Sequence, residues 1–295
     1  MEFKFSDESR REEQIDELLE TFRTSFWLEE RRWFVRCEWN LRVEDDSILL
    51  YTLPYYLDRF CVRDQSRRFK STGLDDPVYW LYNSVHNISL EGDINNWCLF
   101  PIRYSNLRCL RICLPTHKNI YSFIPTLDNL TSLIVVMNDS SAESELLDLI
   151  NRAPHLYSLT IDLLPNLLSI LWKVTSTSIR RLDLFHSSFW YDLCLNAAQC
   201  SELINSSLGR QCEVLSVNVE DRSNVLDLVK TKSNVRALIC KLKEEEEEEE
   251  KGNNKRISSS DKDELVEWLR DHLLSMSSVR RTFYINNSIE IWVNQ

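Results

Sequence analysis

Apolar residues recur along the chain in a fixed frame: one, a second three positions on, and a third two beyond that. The frame appears as Val85/Ile88/Leu90, Leu107/Leu110/Ile112, Leu130/Leu133/Val135, Leu156/Leu159/Ile161, Ile179/Leu182/Leu184, Cys212/Leu215/Val217 and Val235/Leu238/Cys240. The steps between first positions are 22, 23, 26, 23, 33 and 23 residues. Five of those six steps fall in the ~20–29 residue range of leucine-rich repeats. The last two members of each triplet lie two apart, so on a strand they point to the same side. One such unit cannot bury its apolar side alone, and stacked units form a parallel sheet with a continuous core. A final degenerate unit is expected near residues 279–285, followed by a last strand at 289–293.

The segments between triplets carry helical spacing. Residues 145–153 place Leu146, Leu149 and Ile150 on one face, with Ser144 as N-cap and Pro154 beyond the end. A helix at 196–206 accounts for the long step of 33 residues, and another at 225–230 follows Asn224 as its cap. Residues 261–273 carry Leu265, Leu269 and Leu273, capped by Ser260 or Asp261. Strands alternating with helices predict an α/β fold: a leucine-rich-repeat solenoid whose curved parallel sheet is backed by outer helices. Residues 1–24 hold an amphipathic helix with Ile15, Leu18, Leu19 and Phe22 at helical spacing. Residues 25–79 form an aromatic-rich cap over the first repeat, and 80–295 form the solenoid. In the cap, residues 33–39 alternate, Trp33, Val35, Cys37 and Trp39 one way and Phe34, Arg36 and Glu38 the other, and 48–53 is a second strand. Residues 244–250 are an unbroken run of glutamate. Such a block repels itself and stays solvated, so 243–260 is expected to be a disordered acidic loop.

Composition narrows the function. The 295 residues carry a net charge of −11 and are 43% hydrophobic, enough for a packed core. The acidic balance argues against nucleic acid and against an anionic membrane surface. No leader-like segment opens the chain and no window approaches ~20 apolar residues, so a cytoplasmic or nuclear protein, not a secreted one, is expected. The nine cysteines form no C-x-x-C pair and are read as reduced, small buried hydrophobes. The five histidines, His86, His117, His155, His186 and His272, lack metal-ligand spacing. Four glycines leave no phosphate-cradling loop, and no nucleophile elbow occurs. The expectation is a chain that is not an enzyme and takes no cofactor or metal.

Binding is expected on the concave sheet face, where residues flanking the apolar strand positions point outward. The candidates are Arg111, Ser158, Thr160, Asp162, Arg181, Asp183, Phe185, Ser216 and Asn218. Their mixture of charge, hydroxyl and one aromatic suits a protein surface.

Three stretches sharpen the class: SFWLEERRWFVRCEW at 25–39, LYTLPYYLDRF at 50–60, and ELVEWLRDH at 264–272 followed by IEIWV at 289–293. They resemble a group of F-box proteins with degenerate leucine-rich repeats, over roughly residues 20–295. The resemblance implies substrate recognition for a cullin-type ubiquitin ligase. The F-box itself is missing: residues 1–25 contain no Leu-Pro-x-Glu segment and are too few. Hence a cullin-ligase adaptor is expected as a partner only if an F-box is supplied upstream, and the chain is expected to be a truncated product or a paralogue that kept the binding half. The alternatives are an acidic repeat protein that binds or chaperones basic partners such as histones, and an enzyme inhibitor.

Overall fold

The computed structural model describes residues 8–40, 48–53, 55–62, 67–73, 82–90, 103–116, 120–122, 124–137, 139–184, 193–231, 234–243, 259–273, 277–282 and 288–293. These form two compact units, Met1–Leu130 and Thr131–Gln295. The fold is mixed α/β with mostly parallel sheet and, among the described residues, no closed barrel. Among the described residues no helix is long and apolar enough to cross a membrane.

In the first unit, helix α1 (Glu8–Glu20) packs on a three-stranded antiparallel sheet of order β2 (Ile48–Leu53), β1 (Phe34–Asn40), β4 (Arg67–Ser71). Ile15 and Leu19 of α1 share one core with Val35, Cys37, Trp39 and Ile48, and Phe22 and Leu50 pack against it. The period of the helix meets the period of the strand there, as their spacing predicts. Two ion pairs tie α1 to β4, Arg68 to Glu12 at 2.7 Å and Lys70 to Asp16 at 2.6 Å. Trp33 does not join this core. It precedes the strand, is 41% exposed, and sits beside Trp27 with ring centroids 6.1 Å apart. Strand alternation begins only where the ladder does.

The other face of β1 is also covered. Arg36 and Glu38 are buried, and the Arg36 guanidinium lies 4.8 Å from the Phe69 ring centroid. Arg36 donates to the Tyr82 hydroxyl at 3.3 Å, the Tyr51 and Tyr82 hydroxyls are 3.0 Å apart, and Tyr51 donates to Glu38. Tyr55 stacks on Tyr82 at 5.0 Å, and Phe60 and Tyr104 close the cluster edge-on and tilted. Beyond it, strands β3 (Arg59–Val62), β5 (Asn87–Leu90) and β6 (Cys109–Leu114) run parallel.

The second unit has the sheet order β7 (Ser132–Met137), β8 (Ser158–Leu163), β9 (Arg181–Asp183), β11 (Val214–Val219), β12 (Ala237–Leu242), β14 (Ser288–Val293), β13 (Ser277–Thr282). The pairs from β7 to β12 are parallel. Parallel neighbours need long crossovers. These are α2 (Glu143–Asn151), a 3₁₀ segment at Pro165–Lys173, α3 (Ala197–Asn205) with α4 (Ser207–Gln211), and α5 (Arg222–Thr231). Register aligns Leu133, Leu159, Leu182, Leu215 and Leu238 in one buried row, each at most 1% exposed. The first member of every triplet is buried as well. The long step has a clear cause: β9 pairs with β11 only to Ser216, and the two-residue strand β10 (Cys194–Leu195) takes up the same edge at Asn218. Chain is inserted within one repeat's strand, and α3 then follows.

Several expected boundaries shift. A 3₁₀ turn at Ser140–Ala142, capped by Asp139 accepting from the Ser141 amide, leads into α2, so Ser144 lies inside the helix. The exposed Asp139 carboxyl is held below its usual pKa, chiefly by that amide. Asn224 is buried within α5, which begins two residues earlier, with Asp221 accepting from the Ser223 amide. Helix α6 (Ser259–His272) starts ahead of the expected caps Ser260 and Asp261, so Ser259 and Ser260 fall out of the expected acidic loop; residues 244–258 lie outside the described residues. Asn196, expected as the first helical residue, stands just outside α3 as its N-cap and forms a capping box with Gln199. Val266 and Leu269 of α6 and Leu273 just after it are buried, and Arg222 stacks on Trp268 at 4.7 Å.

The C-terminal end is not another parallel repeat. β13 and β14 form an antiparallel pair, and β14 lies antiparallel to β12. Only five residues separate β13 from β14. That is too short for a crossover, so the second strand must turn back.

Candidate functional site

The sheet of the second unit presents alternate residues outward between buried neighbours. Ser158, Thr160 and Asp162 on β8, and Arg181 and Asp183 on β9, are all half-buried while Leu159, Ile161 and Leu182 are buried. Register sets Ser158 beside Arg181 and Thr160 beside Asp183. Arg181 and Asp183 approach to 3.8 Å along their strand. A pair this exposed contributes about 0–1 kcal/mol, so its value is in surface character rather than stability.

Ser216 and Asn218 were expected on this open face and are not open. They are 2% and 6% exposed, and Ser216 Oγ and Asn218 Oδ1 have no hydrogen-bond partner. Pairing along both edges does not by itself close a face, since β8 is paired with β7 and β9 and keeps Ser158, Thr160 and Asp162 half-buried. β11 has β9 and β10 along one edge and β12 along the other, and all its residues from Leu215 to Val219 are buried. Periodicity assigns these two side chains to a face but cannot say that the face is covered there. Arg111 lies on β6 of the first unit, half-buried and level with Ser89. Phe185 lies outside the described residues.

A second set of residues, Tyr157 and Arg236 exposed and Arg180 and Glu213 half-buried, lies just ahead of the strands, one position before the flanking residues. Main-chain hydrogen bonds line it up: the Arg180 amide donates to the Tyr157 carbonyl at 2.9 Å, Glu213 to Arg180 at 2.7 Å, Arg236 to Glu213 at 2.8 Å, and Val293 to Arg236 at 2.9 Å. Glu213 bridges two guanidiniums, Arg180 at 3.6 Å and Arg236 at 3.5 Å. Tyr157 and Trp292 are 48% and 50% exposed. The signal for this set was in the repeat frame, since Tyr157, Arg180, Glu213 and Arg236 each follow the first apolar residue of a triplet. Attention to the strand centre alone passes over it.

The described cysteines divide. Cys37, Cys200, Cys212 and Cys240 are buried, as expected of core hydrophobes, while Cys61, Cys109, Cys113 and Cys194 are half-buried; Cys98 lies outside the described residues. Burial pushes the Cys37 and Cys240 thiols up to about 12, which keeps them protonated and unreactive. Among the described residues no three His, Cys, Asp or Glu side chains are placed to hold a metal ion. No family model matches the chain, and no curated protein matches it.

Proposed function

We propose that the chain is a leucine-rich-repeat protein that acts as a protein-interaction module, of the substrate-recognition type found in F-box proteins with such repeats. One observation carries this reading: half-exposed Ser158 and Thr160 stand in register with Arg181 and Asp183, with Asp162 further along the same face of β8, over a fully buried leucine row. A face held in register presents hydrogen-bond donors, acceptors and charge with little entropy left to lose, which is what a partner surface needs.

The test is affinity capture from the native cell with the wild type and with the double variant Thr160→Arg, Arg181→Glu. Both side chains are half-exposed, so the variant should keep its circular dichroism spectrum while losing the dominant partner. Capture is scored for cullin-ligase adaptors, for histones and for any other dominant protein. A folded variant that retains its partner undiminished removes this face as the binding site. Histone capture would favour the acidic-chaperone reading instead.

A further inference from the structure

We propose that the strand-start edge of the second unit's sheet binds an extended acidic peptide segment carrying an apolar side chain at each end. The proposal rests on the protein-binding reading above and adds the partner's chemistry.

The edge has a defined length and pattern. Tyr157, Arg180, Glu213 and Arg236 immediately precede four neighbouring strands, β8, β9, β11 and β12, and Trp292 lies next to the residue that continues their hydrogen-bonded line. Four inter-strand spacings of ~4.8 Å put roughly 19 Å between the two ends, the reach of about six residues of extended chain. Each end offers a large exposed aromatic, Tyr157 and Trp292. Between them Arg236 is 68% exposed, and Arg180 is partly exposed. Arg181, also partly exposed, sits one position further along its strand.

Charge chooses the partner. A single carboxylate, Glu213, serves both Arg180 and Arg236, so the line keeps an excess of positive charge; Arg180 also donates to the Thr177 and Ile179 carbonyls, which leaves Arg236 as the more open fork. Guanidinium forks match carboxylates in geometry as well as sign. The chain as a whole carries −11, so an acidic segment is repelled elsewhere and drawn to this edge. The same net charge opposes a long polyanion such as nucleic acid, whose many phosphates would meet the rest of the surface. Trp, Tyr and Arg are also the residue types that dominate binding hot spots.

The test uses the full chain and fluorescence anisotropy. The probe is a labelled peptide, Phe-Glu-Asp-Glu-Asp-Leu, compared with its charge-reversed form Phe-Lys-Arg-Lys-Arg-Leu and with a single-stranded oligonucleotide. The acidic probe should bind saturably and more weakly as salt rises. Arg236→Glu and Trp292→Ala should each weaken it by roughly tenfold or more. Arg152→Glu, an exposed arginine after α2, should leave it unchanged, and Arg236→Lys should keep part of the affinity. Absence of saturable binding, equal binding of the reversed peptide or the oligonucleotide, or an unaltered affinity in folded Arg236→Glu would each overturn the proposal. If the natural partner is lost with Thr160→Arg, Arg181→Glu but not with Arg236→Glu, the edge is wrong while the face reading stands.

Discussion

The two compact units bury their central strands by opposite means. In the first, both faces of β1 are covered, one by aliphatic and aromatic side chains from α1 and β2, the other by Arg36, Glu38 and tyrosine hydroxyls in one hydrogen-bonded chain. In the second, one residue type repeats in register across five parallel strands. An interior built from unlike groups depends on each of them, because a polar group that loses its partner keeps its desolvation cost. An interior built from like groups spreads a loss over neighbours that can partly relax.

The largest expected effect is on the first unit at high pH. Burial raises Tyr51 and Tyr104 well above 10 and pushes Tyr55 and Tyr82 up to about 12, with the Glu38 charge adding to the rise. A raised pKa means that folding favours the protonated phenol. The contribution is whole below pH 10 and is lost as pH climbs through about 12. Tyrosinate absorbance from this cluster should therefore appear together with loss of the unit's circular dichroism. Ionisation near pH 10 with structure retained would contradict the burial.

Next is Arg36→Met, which leaves Glu38 buried without its nearby cation. Breaking a buried charge arrangement from one side costs about 3–5 kcal/mol. Hydrogen exchange should lose protection in residues 34–104. A melting temperature equal to the wild type would mean that the polar chain contributes nothing.

Leu159→Ala tests the other construction. Truncating a fully buried leucine costs about 2–5 kcal/mol, and a row able to close around the gap brings it toward the lower figure. Protection should fall in residues 132–183. If Leu159→Ala proves costlier than Arg36→Met, the contrast between the two interiors is reversed.

The smallest effect is expected at a helix start. Asn196→Ala removes one half of the capping box of α3 and should cost about 1 kcal/mol, read as a small drop in melting temperature. A loss several times larger would show that the inserted stretch ahead of α3 is coupled to the ladder.

Much was legible in the chain before folding was considered. The 3–2 spacing placed the strands, and Leu133, Leu159, Leu182, Leu215 and Leu238 were found in one buried row because strand alternation and the repeat length are local properties. The helix face of Leu146, Leu149 and Ile150 follows from spacing in the same way. Tertiary structure decided what depends on neighbours. It closed Ser216 and Asn218 off from solvent, because burial of an outward residue depends on what lies over it. It set β14 antiparallel between β12 and β13, because which strand edges meet depends on neighbours rather than on the spacing along the chain. It also brought Arg180 and Arg236 onto one carboxylate of Glu213. These residues are 23 or more positions apart in the chain, and only the stacking of strands at ~4.8 Å makes them a single charged line.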